Sequence, residues 1–313
     1  NISRVCVEHS CADEKLLQHG EVLRDQLELM FVNMGTFDIV SSPGLPPSDT
    51  VNAAMMYQAL GADYIISGNL RAGAEGAESR LILRVLDARR YGVIIWGTHY
   101  DFPSLAPEQA QSSIMAPAQA MQWSIFVAEA RRIAGRPDSE LSPLGMALRA
   151  FTLLLRHDSS LFGRIDSLLE CAVDLEKDDG TIALIDAMYC YIRFQNEWGV
   201  EADAIFTRGL RSVRAAVALM PDLHAVEVLL AAYLMYDPAK HSMAVSVVQN
   251  AMAGIARNDR NHLDSPDILM AGVVMNLLQG GIKSANCRVK VLLEDGIRSQ
   301  FLELLRPGFI VVL

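Results

Sequence analysis

"GADYIISGNLRAGAEGAESRLILRVLDARRYGVIIWGTHYD", residues 61–101, decides the fold of the front part of the chain. Tyr64, Ile65, Ile66 and Leu70 belong to one strand. Leu81, Leu83 and Val85 alternate with Arg80, Ile82 and Arg84 on the next, and Val93–Tyr100 makes a third. Alternation with a period of two is what a half-buried strand requires, because successive side chains leave opposite sides of the pleat. "AGAEGAE" and "DARRYG" are polar, glycine-bearing turns between these strands. The glycines at 68, 73 and 76 sit between two strands, and no Gly-Lys-Ser/Thr follows. They read as hairpin residues, since a phosphate loop needs its glycines between a strand and a helix.

Upstream of this stretch, period-two and helical patterns alternate. Ile2–Val7 reads as a strand. Asp13 can cap a helix from Glu14 to Met34, on which Leu16, Val22, Leu23, Leu27, Met30 and Phe31 recur at helical spacing. A second strand, Phe37–Ser41, ends at the breaker-rich "SSPGLPPSD". Val51–Leu60 predicts a short helix ending at Gly61, where a glycine accepts a left-handed cap. A helix over Pro107–Ala134 leaves the unit, whose element order is β-α-β-α-β-β-β.

The positions Leu60, Gly61, Tyr64, Gly68, Asp87, Ala88, Trp96, Tyr100 and Asp101 carry a Leu-Gly-x-x-Tyr-x-x-x-Gly strand, an Arg/Leu-rich strand ending in Asp-Ala, and a Trp-x-x-x-Tyr-Asp strand, in that order. In this the first third of the chain resembles the TolB amino-terminal-like domain of bacterial cytoplasmic regulators. The first strand, "RVCVEHSC", departs from that pattern by lacking its proline-phenylalanine ending.

Beyond Pro137 the strand signals stop. Helices are predicted over Ser142–Arg156, Ser160–Glu176, Thr181–Glu197, Glu201–Leu219, Ala225–Tyr236, Ala239–Arg257, Pro266–Leu278 and Val289–Leu305, joined by connections short enough for antiparallel neighbours. "ECAVDLEKDDGTIALIDAMY" (Glu170–Tyr189) and "RAAVALMPDLHAVEVLLAAY" (Arg214–Tyr233) align without a gap, 44 residues apart, matching Ala172 with Ala216, Asp178 with Asp222 and Tyr189 with Tyr233. A blurred third copy runs through "NAMAGIARNDRNHLDSPDILMAGVVMNL". These segments resemble tetratricopeptide repeats with a longer period than the usual ~34 residues, and are termed TPR-like. The resemblance places Leu184, Met188 and Tyr191, and in the next copy Val228, Met235 and Tyr236, on the concave face that binds partners in such arrays. This set is uncharged. Either the groove takes an apolar segment or ligand, or another part of the polypeptide fills it.

Composition narrows the function classes. The chain has 313 residues, a length that favours two domains, with 51% hydrophobic and 20% charged residues, a globular balance. A net charge of −10 argues against direct binding to a phosphate backbone, which Lys and Arg drive by displacing counterions. No apolar run approaches the ~18 residues a membrane span needs, and Asn1–Val7 does not read as a signal peptide. A start without Met that enters a strand at once suggests a fragment or processed product. Five cysteines without repeated spacing favour reduced thiols in the cytoplasm.

Chemistry-bearing motifs are few. Cys6, His9 and Cys11 have a spacing that matches no paired zinc motif, so no metal and no cofactor are expected. His99 with Asp101, and His157 with Asp158, read as surface or capping residues. Arg89–Arg90 and Arg131–Arg132 read as solvated basic islands, or as docking points for the acidic surface of another subunit. No catalytic residue is expected.

The expectation is an α+β chain: a TolB amino-terminal-like α/β domain over residues 1–105, a connecting helix over 106–136 and a TPR-like superhelical array over 137–313. The two resemblances imply a non-enzymatic sensor and protein-interaction region of a cytoplasmic bacterial transcriptional regulator. Such a region works through a protein partner or self-association, and reaches DNA only through a separate upstream domain. The alternatives are the regulatory region of a class III nucleotide cyclase, or a receptor for a small hydrophobic effector in a groove where methionine adapts to irregular shapes.

Overall fold

A computed structural model describes residues 4–11, 17–34, 37–40, 58–72, 79–102, 107–156, 158–196, 201–221 and 223–258. The chain divides into two compact units, Asn1–Arg132 and Ile133–Leu313.

In the first unit β1 (Arg4–Cys11), α1 (Leu17–Met34), β2 (Asp38–Ile39), β3 (Tyr64–Ala72), β4 (Ser79–Asp87), β5 (Val93–Phe102) and α2 (Pro107–Ile133) follow in that order. The sheet order is β2-β1-β3-β4-β5. β1 runs parallel to β2 and β3, whereas β3–β4 and β4–β5 are antiparallel hairpins, so the sheet is mixed. Alternation sends Val5, Val7, Tyr64, Ile66, Leu70, Leu81, Leu83 and Val85 to one face. Leu23, Leu27 and Phe31 of α1, with Ala118, Met121 and Ile125 of α2, cover it. On the opposite face Cys6, Ala62, Ile65 and Ala88 form a smaller apolar cluster.

Three details differ from the sequence expectation. The helix expected to connect two domains packs onto the sheet: Ala118, Met121 and Ile125 recur at helical spacing and are each fully buried, so α2 belongs to the first core as far as Arg132. Gly68 lies inside β3, opposite Leu83, and not in a turn. The second strand is limited to Asp38–Ile39, extended by one bond from Val40 N–H to Val5 O (2.9 Å). Gly61, at φ +65°, does take the left-handed conformation that ends the preceding helical turn. The rest of the helix expected over Val51–Leu60 lies outside the described residues.

The second unit is helical throughout its described residues: α3 (Pro143–Leu154), α4 (Phe162–Leu175), α5 (Gly180–Asn196), α6 (Ala202–Leu219), α7 (His224–Leu234) and α8 (His241–Asn258). α3 packs on α4, α5 on α6 and α7 on α8, and α3 on α5, α4 on α5 and α6 on α7 join each pair to the next. Turn geometry recurs along the unit. At the ends of α4 and α6, the N–H of Glu176 bonds Ala172 O and that of Met220 bonds Ala216 O, at the two alanines that the aligned copies match. Inside the first and third pairs, Asp158 accepts from Ser160 N–H and Asp237 from Ala239 N–H, each opening a single 3-10 turn that leads into α4 and α8. Helices expected over 266–278 and 289–305, and most of the third repeat copy, lie outside the described residues.

Candidate functional site

Three side-chain clusters stand out, one in the first unit and two in the second. In the first, Glu129 on α2 is 6% exposed and has both carboxylate oxygens occupied. Oε1 accepts from the Tyr64 hydroxyl (2.7 Å) and from Arg89, and Oε2 accepts from Arg132 Nε (2.8 Å) and Nη2. Arg89 also faces Asp63 (3.4 Å) and Asp87 (3.6 Å), with its guanidinium 4.8 Å from the centre of the Tyr64 ring. Burial works to raise the Glu129 pKa, but the hydrogen bonds from Arg132, Arg89 and Tyr64 outweigh it and hold the carboxyl below its ordinary value. Burial, with Glu129 close by, pushes the Tyr64 hydroxyl up, so it stays protonated and donates.

Tyr64, Asp87 and Ala88 are among the positions that carry the resemblance in the front domain. Their local roles are physical: Tyr64 reaches α2, Asp87 accepts from Arg89 N–H (3.1 Å) to open a 3-10 turn, and Ala88 is buried. Arg89, expected on a solvated face, is held among three carboxylates instead.

The second cluster centres on Asp186 of α5, which is 1% exposed. Arg208 of α6 donates to both of its oxygens (2.6 and 3.3 Å), and the Ser212 hydroxyl donates a third bond (2.5 Å). Arg208 also reaches Asp166 (2.7 Å) and Glu170 (3.2 Å) on α4. Arg193 bonds the other oxygen of Asp166 and the Tyr189 hydroxyl (3.0 Å), and pairs with Glu201 (3.1 Å). Both guanidinium carbons lie 6.0 Å from the Tyr189 ring centre. Cys190 is buried beside this network, and burial pushes its thiol up, which keeps it protonated and poorly nucleophilic.

The third cluster contains residues expected on the concave face. Tyr191 lies 5.3 Å from Tyr233 and 6.4 Å from Tyr236, centre to centre, while Phe194 lies 4.9 Å from Tyr236 and 5.1 Å from Phe206. Gln195 donates its amide to the Tyr236 hydroxyl. Rings tilted or edge-on at these separations attract one another beyond their area burial. Met188, Tyr191 and Val228 are buried; Leu184, Met235 and Tyr236 are half-buried. Tyr191 and Tyr236 therefore meet inside the packing of α5 against the next helix pair, and Met235 lends its carbonyl to His241 (2.7 Å).

The remaining candidates fall elsewhere. Asp101 is bound by Arg80 through two contacts (2.6 and 3.0 Å), which hold its carboxyl below the usual range, and His99 beside it is exposed. Asp158 is a cap, and its neighbour His157 lies outside the described residues. Cys6 is buried in the small apolar cluster, and nothing is described of the side chains of His9 and Cys11. Among the described residues, no three His, Cys, Asp or Glu side chains converge as metal ligands would. Likewise, among the described residues no helix is long and apolar enough to cross a membrane.

Sequence reading missed Glu129, Asp186 and Arg208. A signal existed for Asp186: it is the single carboxylate inside "TIALIDAMYCYI", a run apolar on all sides of the helix, where a charge must be buried and paired. Chemically, each polar cluster is a carboxylate whose lone pairs are taken by guanidinium and hydroxyl donors, an arrangement that fastens elements together.

No protein-family model and no curated protein matches the sequence. Among solved structures, a variant PelC dodecamer from Paraburkholderia phytofirmans is similar at 17% identity, with a TM-score of 0.29 over 38% of this chain and 88% of that chain. A PelC dodecamer from the same organism in another crystal form is similar at 14% identity, with a TM-score of 0.26 over 38% and 81%. A likeness this slight fixes neither fold nor assembly.

Proposed function

We propose that the chain is a non-catalytic regulatory and protein-interaction region of a cytoplasmic bacterial transcriptional regulator, with α3–α8 forming a TPR-like array. The observation that carries this reading is the repeated hairpin geometry of the second unit. Each pair packs on the next, the ends of α4 and α6 close on the matched alanines Ala172 and Ala216, and the turns into α4 and α8 each open on an aspartate, Asp158 and Asp237. Stacked helix pairs present an extended surface for recognition, which is how repeat architectures work. The filled carboxylate clusters support the same view, since Glu129 and Asp186 are committed to guanidinium and hydroxyl partners.

Light scattering on a gel-filtration eluate, together with a pull-down from bacterial lysate, tests the reading. Self-association, or a retained partner that a folded variant with a charge-reversed helical surface fails to retain, supports it. A strict monomer that retains nothing at any concentration overturns it.

A further inference from the structure

The outer face of the β3–β5 hairpins carries a charge pattern that nothing so far explains. Ser67, Asn69 and Arg71 of β3, Arg80, Ile82 and Arg84 of β4, and Gly97, His99 and Asp101 of β5 point away from the main core, in three cross-strand rows fixed by the register. One row is Arg71–Arg80–Asp101, the next Asn69–Ile82–His99, and the third Ser67–Arg84–Gly97. Arg71, Arg84, Gly97 and His99 are exposed, and Arg80 and Asp101 keep 53% and 44% of their side chains in solvent. These nine positions hold three arginines and one carboxylate, and Glu8 of β1 extends the Ser67–Arg84 row, in a chain whose net charge is −10.

Arg71 stands directly opposite Arg80, an arrangement of like charges that disfavours the pairing of the strands carrying it. Asp101 offsets this on one side through its bonds to Arg80, while Arg71 donates to a neutral group, Asn69 Oδ1 (2.6 Å). Arg84 lies beside the gap that Gly97 leaves, its Cγ 3.6 Å from where a Cβ would stand. A glycine at that point opens the face to close approach by another backbone.

We propose that this sheet face docks an extended acidic polypeptide segment of a partner protein, with Arg71 and Arg84 as its anchoring cations. The spacing suits such a segment. Arg71 and Arg84 stand four residues apart along the strand direction and one strand over, about 14 Å, which an extended chain matches with carboxylates four residues apart. Half-buried Ile82 lies between them as an apolar seat. Single-stranded nucleic acid, the other extended polyanion, is disfavoured because sheet faces that bind it stack bases on aromatic rings. Here Trp96 and Tyr100 of β5 pack against the main core on the opposite face. The surface lies wholly within the sheet unit, so its failure leaves the reading of the helical unit untouched.

Fluorescence anisotropy of the full chain with labelled deca-glutamate tests the proposal. The expected result is binding at low ionic strength that weakens with salt, weakens about tenfold or more in R71E/R84E, and persists in R71K/R84K. Circular dichroism checks that the variants fold; should the double variant not fold, R84E alone provides the comparison. Labelled oligo(dT) of matching charge is the second probe. Three results overturn the proposal: no binding of the peptide, equal binding by wild type and the charge-reversed variant, or tighter binding of oligo(dT) than of the peptide.

Discussion

At the scale of single residues, close packing sets the strongest constraints. Gly209 on α6 faces Tyr233, whose hydroxyl bonds Ala187 O (2.6 Å); an added Cβ would overlap that hydroxyl and stand 2.7 Å from the Cβ of Cys190. Both neighbours are buried and Tyr233 is fixed by its hydrogen bond, so neither can give way cheaply. Gly209→Ala is therefore expected to destabilise by about 1–3 kcal/mol from overpacking, although alanine is the better helix former. Gly163→Ala on α4, where nothing lies within 4 Å, is the control and is expected to be neutral or slightly stabilising. Thermal melts of the two variants check the contrast. Asp186 is the matching electrostatic case. Asp186→Ala takes away the buried acceptor of Ser212 and one of Arg208's three carboxylate partners, with Asp166 and Glu170 remaining, and is expected to cost about 1–3 kcal/mol, the range for leaving a buried polar group unsatisfied. Asp158→Ala, which removes an exposed cap, should cost less, and chemical denaturation separates the two.

At the scale of elements, Glu129 ties α2 to the start of β3 and to the turn after β4. Its carboxyl is held below the ordinary value of 4.5, so in acid the unfolded chain takes up a proton first. The stabilisation is then complete above about pH 4.5 and is lost as the pH falls from there through the lower folded-state value. Glu129→Gln removes the charge, and the stability gap between wild type and variant is expected to be widest at neutral pH and to shrink in acid; urea melts from pH 7 to pH 3 measure it. The same element shows where sequence reading stops. The hairpins of β3–β5 were legible because alternation and turn chemistry are local, and α3–α8 because caps and helical periodicity are local too. That Arg89 is enclosed depends on Glu129, 40 residues away, and on an α2 whose apolar positions fit a connecting helix as well as a sheet-packing one. The set expected on a concave face was legible as an apolar stripe. A stripe does not reveal what covers it, and the rings of Phe194, Phe206 and Tyr233 partly cover this one.

At the scale of the whole molecule, the division into two units fixes how damage spreads. Each unit buries its own apolar cluster and its own carboxylate, so each holds the interactions that a variant within it removes. In the helical unit the strong contacts join helices adjacent in sequence or next but one, an arrangement in which stability is close to a sum of local and neighbour terms. Loss of the Asp186 network should therefore raise amide exchange most in α4, α5 and α6, whose side chains share it, and less in α8, which packs chiefly on α7. Hydrogen exchange read by mass spectrometry on Asp186→Ala tests this gradient. A uniform rise from α3 to α8 would instead mark the helical unit as one cooperative block, in which a hairpin cannot open without its neighbours. Under the function proposed above the gradient would matter, because a surface built from stacked pairs can yield at one pair while the rest keep their shape.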